Sequence, residues 1–324
     1  MLIRFWGTRG SLPAPISGAA VEAKIRHALM RSLSRKLVTG DDVDQFMQEG
    51  LTFAERSHYG GNSSCVQVDI AEGEYVICDF GTGIRDFGNH MMTIHGPTKP
   101  QTYNVFMSHL HWDHMMGFPF FVPAYVKGNR IRIHGCHPDM RKAFETQHSL
   151  PGFPVPFKAL GATIEFVDLE PDRDYKIGGM TVRAMAQVHA GGSFGYRFES
   201  AGKVFVYSTD SEHPLDQEGV RERFVDLFRG ADLIVFDAMY SFAEAVDFKQ
   251  GWGHSSNIEG IDLALAAGAK RLALFHHDPN STDANLDGIL KESRRYEDIT
   301  RTHASGDKSE LEVLAAYDGL EIFL

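Results

Sequence analysis

Four apolar, strand-like runs of this 324-residue chain lead straight into histidine or aspartate, and that pattern constrains the fold more than any other feature. Asn104-Val105-Phe106-Met107 runs into Ser108-His109-Leu110-His111-Trp112-Asp113-His114. Met180–Val188 is followed by His189, Lys203–Ser208 by Thr209-Asp210, and Arg271–Phe275 by His276. Further runs rich in Val, Ile, Phe and Tyr, bounded by Gly, Asp, Asn or Pro, alternate with helical periodicities almost from end to end. They include Leu2–Trp6, Ser64–Ile70, Tyr75–Phe80, Arg130–His134, Thr163–Val167, Phe194–Glu199, Leu233–Phe236 and Leu320–Phe323. The alternation predicts about two layers of strand with helices outside, a sandwich-like α/β arrangement. Pro15–Ser57 is the exception. Its helical stretches, Val21–Leu37 and Val43–Glu55, interrupt consecutive strands and read as a helical insertion (residues 15–57) packed on a single domain of residues 1–324.

Composition narrows the function classes. With 43% hydrophobic and 23% charged residues the chain has an ordinary globular balance, which excludes a disordered tail protein or a coiled-coil rod. No uninterrupted apolar stretch approaches the roughly 20 residues of a membrane span. Met1–Gly7 is broken by glycine too soon for a secretory signal and reads as a first strand. Against 32 basic residues stand 43 acidic ones, a formal charge of −11 with no Lys/Arg run. Long polyanions are usually gripped by a broad basic surface, so this balance argues against nucleic acid as a main partner, a local basic pocket aside. The three cysteines, Cys65, Cys78 and Cys136, form no CxxC pair. That usage suits a reducing cytoplasm. Association as a homodimer is compatible with the sequence.

The sixteen histidines must be explained by position. In extended backbone, residues two apart point to the same side, so His109 and His111 can share one metal ion. Asp113 and His114 follow as the chain turns into Met115-Met116-Gly117 and can face a neighbouring position, a spacing that suits two adjacent metal sites better than one. The hexad cannot close two sites alone. His189, Asp210 and His276, each after an apolar strand, are the candidates to complete them, and a carboxylate such as Asp210 can bridge two cations. Of the adjacent pair His276 and His277, the first is preferred because it exits the strand directly. His213 is close enough to Asp210 to support it, or is a helix-entry residue. His27, His95, His134, His137, His148 and His303 have no partner at ligand spacing.

These residues, in this order, resemble the metallo-β-lactamase superfamily from about residue 60 to residue 280. Asp79 in Cys78-Asp79-Phe80-Gly81-Thr82-Gly83 resembles that superfamily's first motif, an acidic residue supporting the ligand loop. The resemblance implies an αββα sandwich with a dinuclear site on one edge. It implies one metal held by His109, His111 and His189, a second by Asp113, His114 and His276, and Asp210 as the bridge. Within the superfamily the likeness is to the phosphodiesterase branch that includes ribonuclease Z, since Asp210 stands where classical β-lactamases have Cys. His254 in Gly251-Trp252-Gly253-His254-Ser255-Ser256 resembles that branch's His-Ser-Thr motif, implying a phosphate contact or a proton donor. Phe5–Ser11 and Tyr59–Ser64 resemble a bacterial subgroup, with glycines suited to tight turns near the site mouth.

The expected chemistry follows from charge. Five neutral imidazoles and two carboxylates around two divalent cations leave about +2, or about +1 with a bridging hydroxide, which activates water without a side-chain base and favours a phosphodiester transition state. All ligands being His or Asp, Zn²⁺ comes first, with Mn²⁺ or Fe²⁺ as contenders. Asp113, Asp210 and His254 are the expected catalytic residues. Ribonuclease Z relatives engage tRNA through a long projecting arm, whereas Thr146–Phe157 is a compact Pro/Phe loop. The expected substrate is therefore a small phosphodiester such as a cyclic nucleotide, with Phe118, Phe120, Phe121 and Phe153 as candidates to wall an apolar pocket, although most of them are expected to pack in the core. The alternatives are a ribonuclease acting on RNA ends, a lactone or thioester hydrolase, and a diiron redox protein. Relatives of the last kind usually carry Glu where this chain has His111.

Overall fold

The computed structural model describes the chain except for residues 71–72, 214–218, 242–250 and 304–308. Among the described residues, fourteen strands form two seven-stranded sheets. The first sheet is built from β1 (Leu2–Gly7), β2 (Cys65–Asp69), β3 (Glu74–Cys78), β4 (Thr102–Phe106), β5 (Arg130–Gly135) and β6 (Thr163–Asp168). The second comprises β7 (Asp174–Ile177), β8 (Met180–Gln187), β9 (Ser193–Ser200), β10 (Lys203–Ser208), β11 (Leu233–Asp237), β12 (Arg271–Phe275) and β13 (Glu312–Ala315). The last strand, β14 (Glu321–Phe323), returns to pair antiparallel with β1 in the first sheet.

Parallel pairing gathers the chemistry at one edge. β3 to β6 are mutually parallel, as are β10 to β13, and β8 runs in the same direction as β10 because both are antiparallel to β9. The carboxyl ends of these strands are the natural place for a site in such sheets.

Side-chain alternation explains the layers. Along β11, Leu233 and Val235 face the other sheet while Ile234 and Phe236 face the helices. Along β12, Ala273 and Phe275 point inward and Leu272 and Leu274 outward. Strands buried on both faces read as continuous apolar runs, which is why these were conspicuous in sequence. Nine helices are described: α1 (Gly18–Ser32), α2 (Gly40–Glu49), α3 (Phe53–Arg56), α4 (Ile84–His95), α5 (Trp112–Met115), α6 (Met140–Gln147), α7 (Val220–Phe228), α8 (Asn257–Ala267) and α9 (Asp283–His303). Ile84, Phe87 and Met91 of α4 and Phe144 of α6 cover the outside of the first sheet; Phe224 and Phe228 of α7 with Ile261 and Ala264 of α8 cover the second. This is the expected αββα sandwich. No helix of the described residues is long and apolar enough to cross a membrane.

The periodicity of Val43–Glu55 resolves into two helices. α2 ends at Gly50, and Thr52 opens α3 with a reciprocal capping box to Glu55. α3 is anchored by a small cluster of Ala54, Tyr59, Leu286 and Ala315, whereas α1 buries no residue.

Candidate metal centre

The hexad is shaped by its first helical turn. After β4, His109 is buried in the connecting loop, and His111 is the extended N-cap of α5, whose single turn carries Asp113 and His114 inward. Asp79 fixes this loop from the end of β3. Its carboxylate accepts from the Ser108 backbone N–H and hydroxyl, both at 2.7 Å, from His114 Nδ1 at 2.7 Å and from Tyr207 Oη at 2.8 Å. A carboxylate behind an imidazole sets the tautomer and aims the opposite nitrogen. Nε2 of His114 accordingly faces Asp113 Oδ2 and Asp210 Oδ1, each at 3.2 Å, and His276 Nε2 at 3.3 Å.

Two donor clusters with no residue in common result, and His254 joins two further groups that overlap them, one with His189 and Asp210 and one with Asp237 and His276. His109, His111 and His189 each offer a nitrogen, and Asp113, His114, Asp210 and His276 each offer a nitrogen or oxygen, with the atoms of each cluster within 4.8 Å of one another. His189 donates from Nδ1 to Gly253 O at 2.7 Å, which leaves Nε2 for the cluster, 3.1 Å from His111 Nδ1. Asp210 divides its oxygens between the two groups. Oδ1 lies 3.2 Å from both His114 Nε2 and His276 Nε2, and Oδ2 lies 3.6 Å from His109 Nε2 and 3.8 Å from His189 Nε2. Asp79, Asp210 and His276 all sit in left-handed backbone, at φ of 62°, 46° and 59°. Non-glycine residues held there cost of order 1 kcal/mol or more and concentrate at functional sites.

The residues suit divalent cations. His109 Nε2 is buried with no hydrogen-bond partner among the described residues. Burial, aided by the neighbouring His114, holds His109 well below the usual histidine range, so its lone pair is free. Burial likewise lowers His111 and His189. Burial would also lower His114, but Asp113, Asp210 and Asp79 together hold it well above its ordinary value, a surplus of negative charge that a cation satisfies. Against burial, His114 holds Asp113 below the carboxylate range, and His276, His114 and His109 do the same for Asp210. Three imidazoles held toward the neutral form, ionised carboxylates and no thiolate fit zinc, and also manganese or iron.

His254 stands at the rim. Its Nδ1 donates to Asp237 Oδ2 at 2.8 Å, and its ring lies 5.1 Å from that of His276 and 5.2 Å from that of His189, centre to centre. Although burial opposes it, Asp237 raises His254 to about 9. Asp237 is the neighbour of the site that the sequence reading did not single out, although it follows the apolar run Leu233–Phe236 just as His276 follows its own. The buried carboxylate also accepts from the Ser211 and Met239 N–H groups at 3.2 Å.

The remaining candidates sort themselves by contact. His277 donates to Ala316 O at 2.8 Å, away from the clusters that His276 enters. His213 is buried between Phe224 and Phe236 and hydrogen-bonds Ser255, so it braces the turn after His254 and touches neither cluster. His137 donates to Ser108 O at 3.2 Å and steadies the hexad backbone. Phe118 and Phe121 are core residues, which leaves Phe120 exposed and in contact with Phe153. The N-terminal loop reaches the site through atoms that sequence motifs do not display. Ser11 N–H donates to Asp113 Oδ2 at 2.8 Å, and a Cβ on Gly10 would lie 2.5 Å from the His276 ring. Gly10 thus serves close approach more than the tight turn expected of it, while Gly253 combines a left-handed turn (φ 81°) with close approach to the His189 ring.

A family model described as "Beta-lactamase superfamily domain" matches residues 75–277, more than half of the chain. Among curated proteins, "Ribonuclease Z" of Thermoplasma acidophilum is 25% identical over 261 residues, 66% of this chain and 80% of that one. "Ribonuclease Z" of Haloarcula marismortui is 25% identical over 308 residues, 80% of this chain and 90% of that one. Among solved structures, the metallo-beta-lactamase fold protein YhfI of Bacillus subtilis superposes with a TM-score of 0.61 at 16% identity, covering 99% of this chain and 98% of that one. The relatives named ribonuclease Z overturn the expectation that nucleic acid is unlikely as a main partner and that the substrate is a small molecule. The physical reason is that a net charge of −11 is a sum over the whole surface and does not report the field at one cation-holding cleft.

Proposed function

The chain belongs to the metallo-β-lactamase superfamily, and we propose that this metal-dependent hydrolase is a dinuclear phosphodiesterase acting on RNA. The observation that carries the reading is the division of Asp210, one oxygen toward each donor cluster. In this reading His109, His111 and His189 hold one ion, Asp113, His114 and His276 hold the other, and zinc is the first choice for both. Such ions, when bound, supply Lewis acidity that polarises a phosphoryl oxygen and acidifies water near neutral pH.

The chain's own residues do the rest. Asp79 keeps His114 in one tautomer, and Ser11 N–H holds Asp113 in place. His254, charged because Asp237 accepts its Nδ1–H, carries a second proton on Nε2 that can pass to the leaving oxygen as the P–O bond breaks. Asp237 orients this imidazole and steadies its charge. Asp210 fixes the spacing on which in-line attack depends.

The compact Thr146–Phe157 loop led to the expectation of a cyclic nucleotide, whereas the ribonuclease Z relatives support an RNA chain. The test is a panel on metal-loaded protein: structured RNA with a 3′ extension, 3′,5′-cyclic AMP, bis(p-nitrophenyl) phosphate, a lactone and an acyl thioester. RNA cleavage, with binding that weakens steeply as salt rises, is the expected result. Turnover confined to the lactone or thioester sinks the phosphodiesterase reading, and turnover confined to cyclic AMP sinks the RNA assignment.

A further inference from the structure

Trp112 lies between His111 and Asp113 in sequence, yet 82% of its surface is exposed. An indole so placed is not there for packing. It forms one wall of a cavity of about 660 Å³, within the size range of small-molecule sites, whose other walls include Leu110 and Met116 and one face of α6 along its length. Two charged residues of that helix line the cavity. Asp139 stands at the N-cap of α6 but accepts no capping hydrogen bond from it, and Lys142 has no ion-pair partner among the described residues. Gln147, on the same wall, donates to Met115 O at 2.8 Å and leaves its Oε1 without a partner.

We propose that this cavity is a nucleobase subsite beside the scissile phosphate, with the base stacked on Trp112. The inference rests on the phosphodiesterase reading and adds the group by which the substrate is held. A flat π-face receives any base. A carboxylate with no partner accepts from the amino or imino edge of a base, and the Lys142 ammonium meets a phosphate oxygen on the same nucleotide. An acyl chain would fit the apolar wall but would make use of neither Asp139 nor Lys142. Because Trp112 is the first residue of the turn that carries Asp113 and His114, a base seated on it is held at a fixed offset from the metal-binding residues.

The test reads binding as well as turnover. Indole fluorescence of the metal-loaded protein is titrated with adenosine 5′-monophosphate, ribose 5-phosphate and octanoate. The nucleotide should quench emission and bind roughly 5- to 100-fold more tightly than ribose 5-phosphate, and Trp112→Phe should remove most of the quenching change. Trp112→Ala should raise KM for a dinucleotide by a similar factor while kcat changes little. Lys142→Ala, on a different element from the ligand turn, should weaken mononucleotide binding without altering metal content. Equal affinity for the nucleotide and ribose 5-phosphate, or quenching that persists unchanged in Trp112→Phe, overturns the subsite. So does tighter binding of octanoate than of the nucleotide. Absence of phosphodiester turnover by the wild type would fail the parent reading instead, and the base-dependent binding comparison would still decide the cavity.

Discussion

His254 Nδ1 lies 2.8 Å from Asp237 Oδ2, and that carboxylate is wholly buried at the end of β11. A histidine so paired keeps its proton at neutral pH and presents the opposite nitrogen in a fixed direction. The pair links the second sheet to the edge of the donor clusters, on the strand next to the one that leads to Asp210.

Proton donation by this pair depends on the leaving group. His254→Ala should lower turnover of an RNA phosphodiester by roughly 10²–10⁴-fold, and Asp237→Asn by a smaller factor in the same direction. Metal content should barely change in His254→Ala, since that side chain is not assigned to either cluster. The loss should shrink for bis(p-nitrophenyl) phosphate, whose nitrophenolate departs without protonation. Equal losses on both substrates would reject proton donation and leave simple phosphate binding.

Removing the central carboxylate tests the dinuclear arrangement. Elemental analysis of the wild type should give about two divalent ions per chain, in line with two donor clusters. Asp210→Ala should lose at least one of them and abolish hydrolysis, while circular dichroism reports a retained fold. Full metal content with near wild-type turnover in that variant contradicts the place given to Asp210.

Strand exits made much of the centre legible. Asp210 and His276 each follow a strand buried on both faces, where a polar residue breaks a continuous apolar run and stands out. Asp237 follows the same rule after Leu233–Phe236, but no motif of its own drew attention to it, and its partner His254 lies on a loop seventeen residues away. The strands that escaped notice were β7 and β13, which lie at the two edges of the second sheet. Edge strands are covered on fewer sides, so Asp174-Tyr175-Lys176-Ile177 and Glu312-Val313-Leu314-Ala315 carry charge and a weak apolar signal. The part played by Ser11 could not be read at all, because it acts through a backbone N–H that any residue possesses.

Gly10 offers a steric test of the N-terminal loop. A methyl group there would lie 2.5 Å from Cε1 and Nδ1 of His276 and 2.7 Å from Met239 Cε, closer than real Cβ contacts allow. Gly10→Ala should therefore displace His276, costing about 1–3 kcal/mol of stability. Metal analysis should show partial loss from the second cluster, with the first retained. Unchanged metal content and unchanged melting would mean that the loop moves aside freely.

Acid lability should trace in part to His134, well away in sequence from the residues of the two donor clusters. It is buried on β5, stacks on Phe106 and hydrogen-bonds the Asn104 side chain at 3.0 Å. Burial, assisted by Arg132, lowers it from 6.5 to about 4. The unfolded chain takes up the proton first as pH falls. The folded state thus keeps its full advantage above about 6.5 and loses it progressively down to about 4, a total of about 3 kcal/mol from this group. Urea unfolding measured between pH 7 and pH 4 should show stability falling with pH, and His134→Gln should flatten that slope by up to one proton. The comparison with the variant isolates His134 from Asp318, which burial raises to about 6 and which works in the opposite sense. A slope that His134→Gln leaves unaltered would show that His134 titrates alike in the folded and unfolded chains.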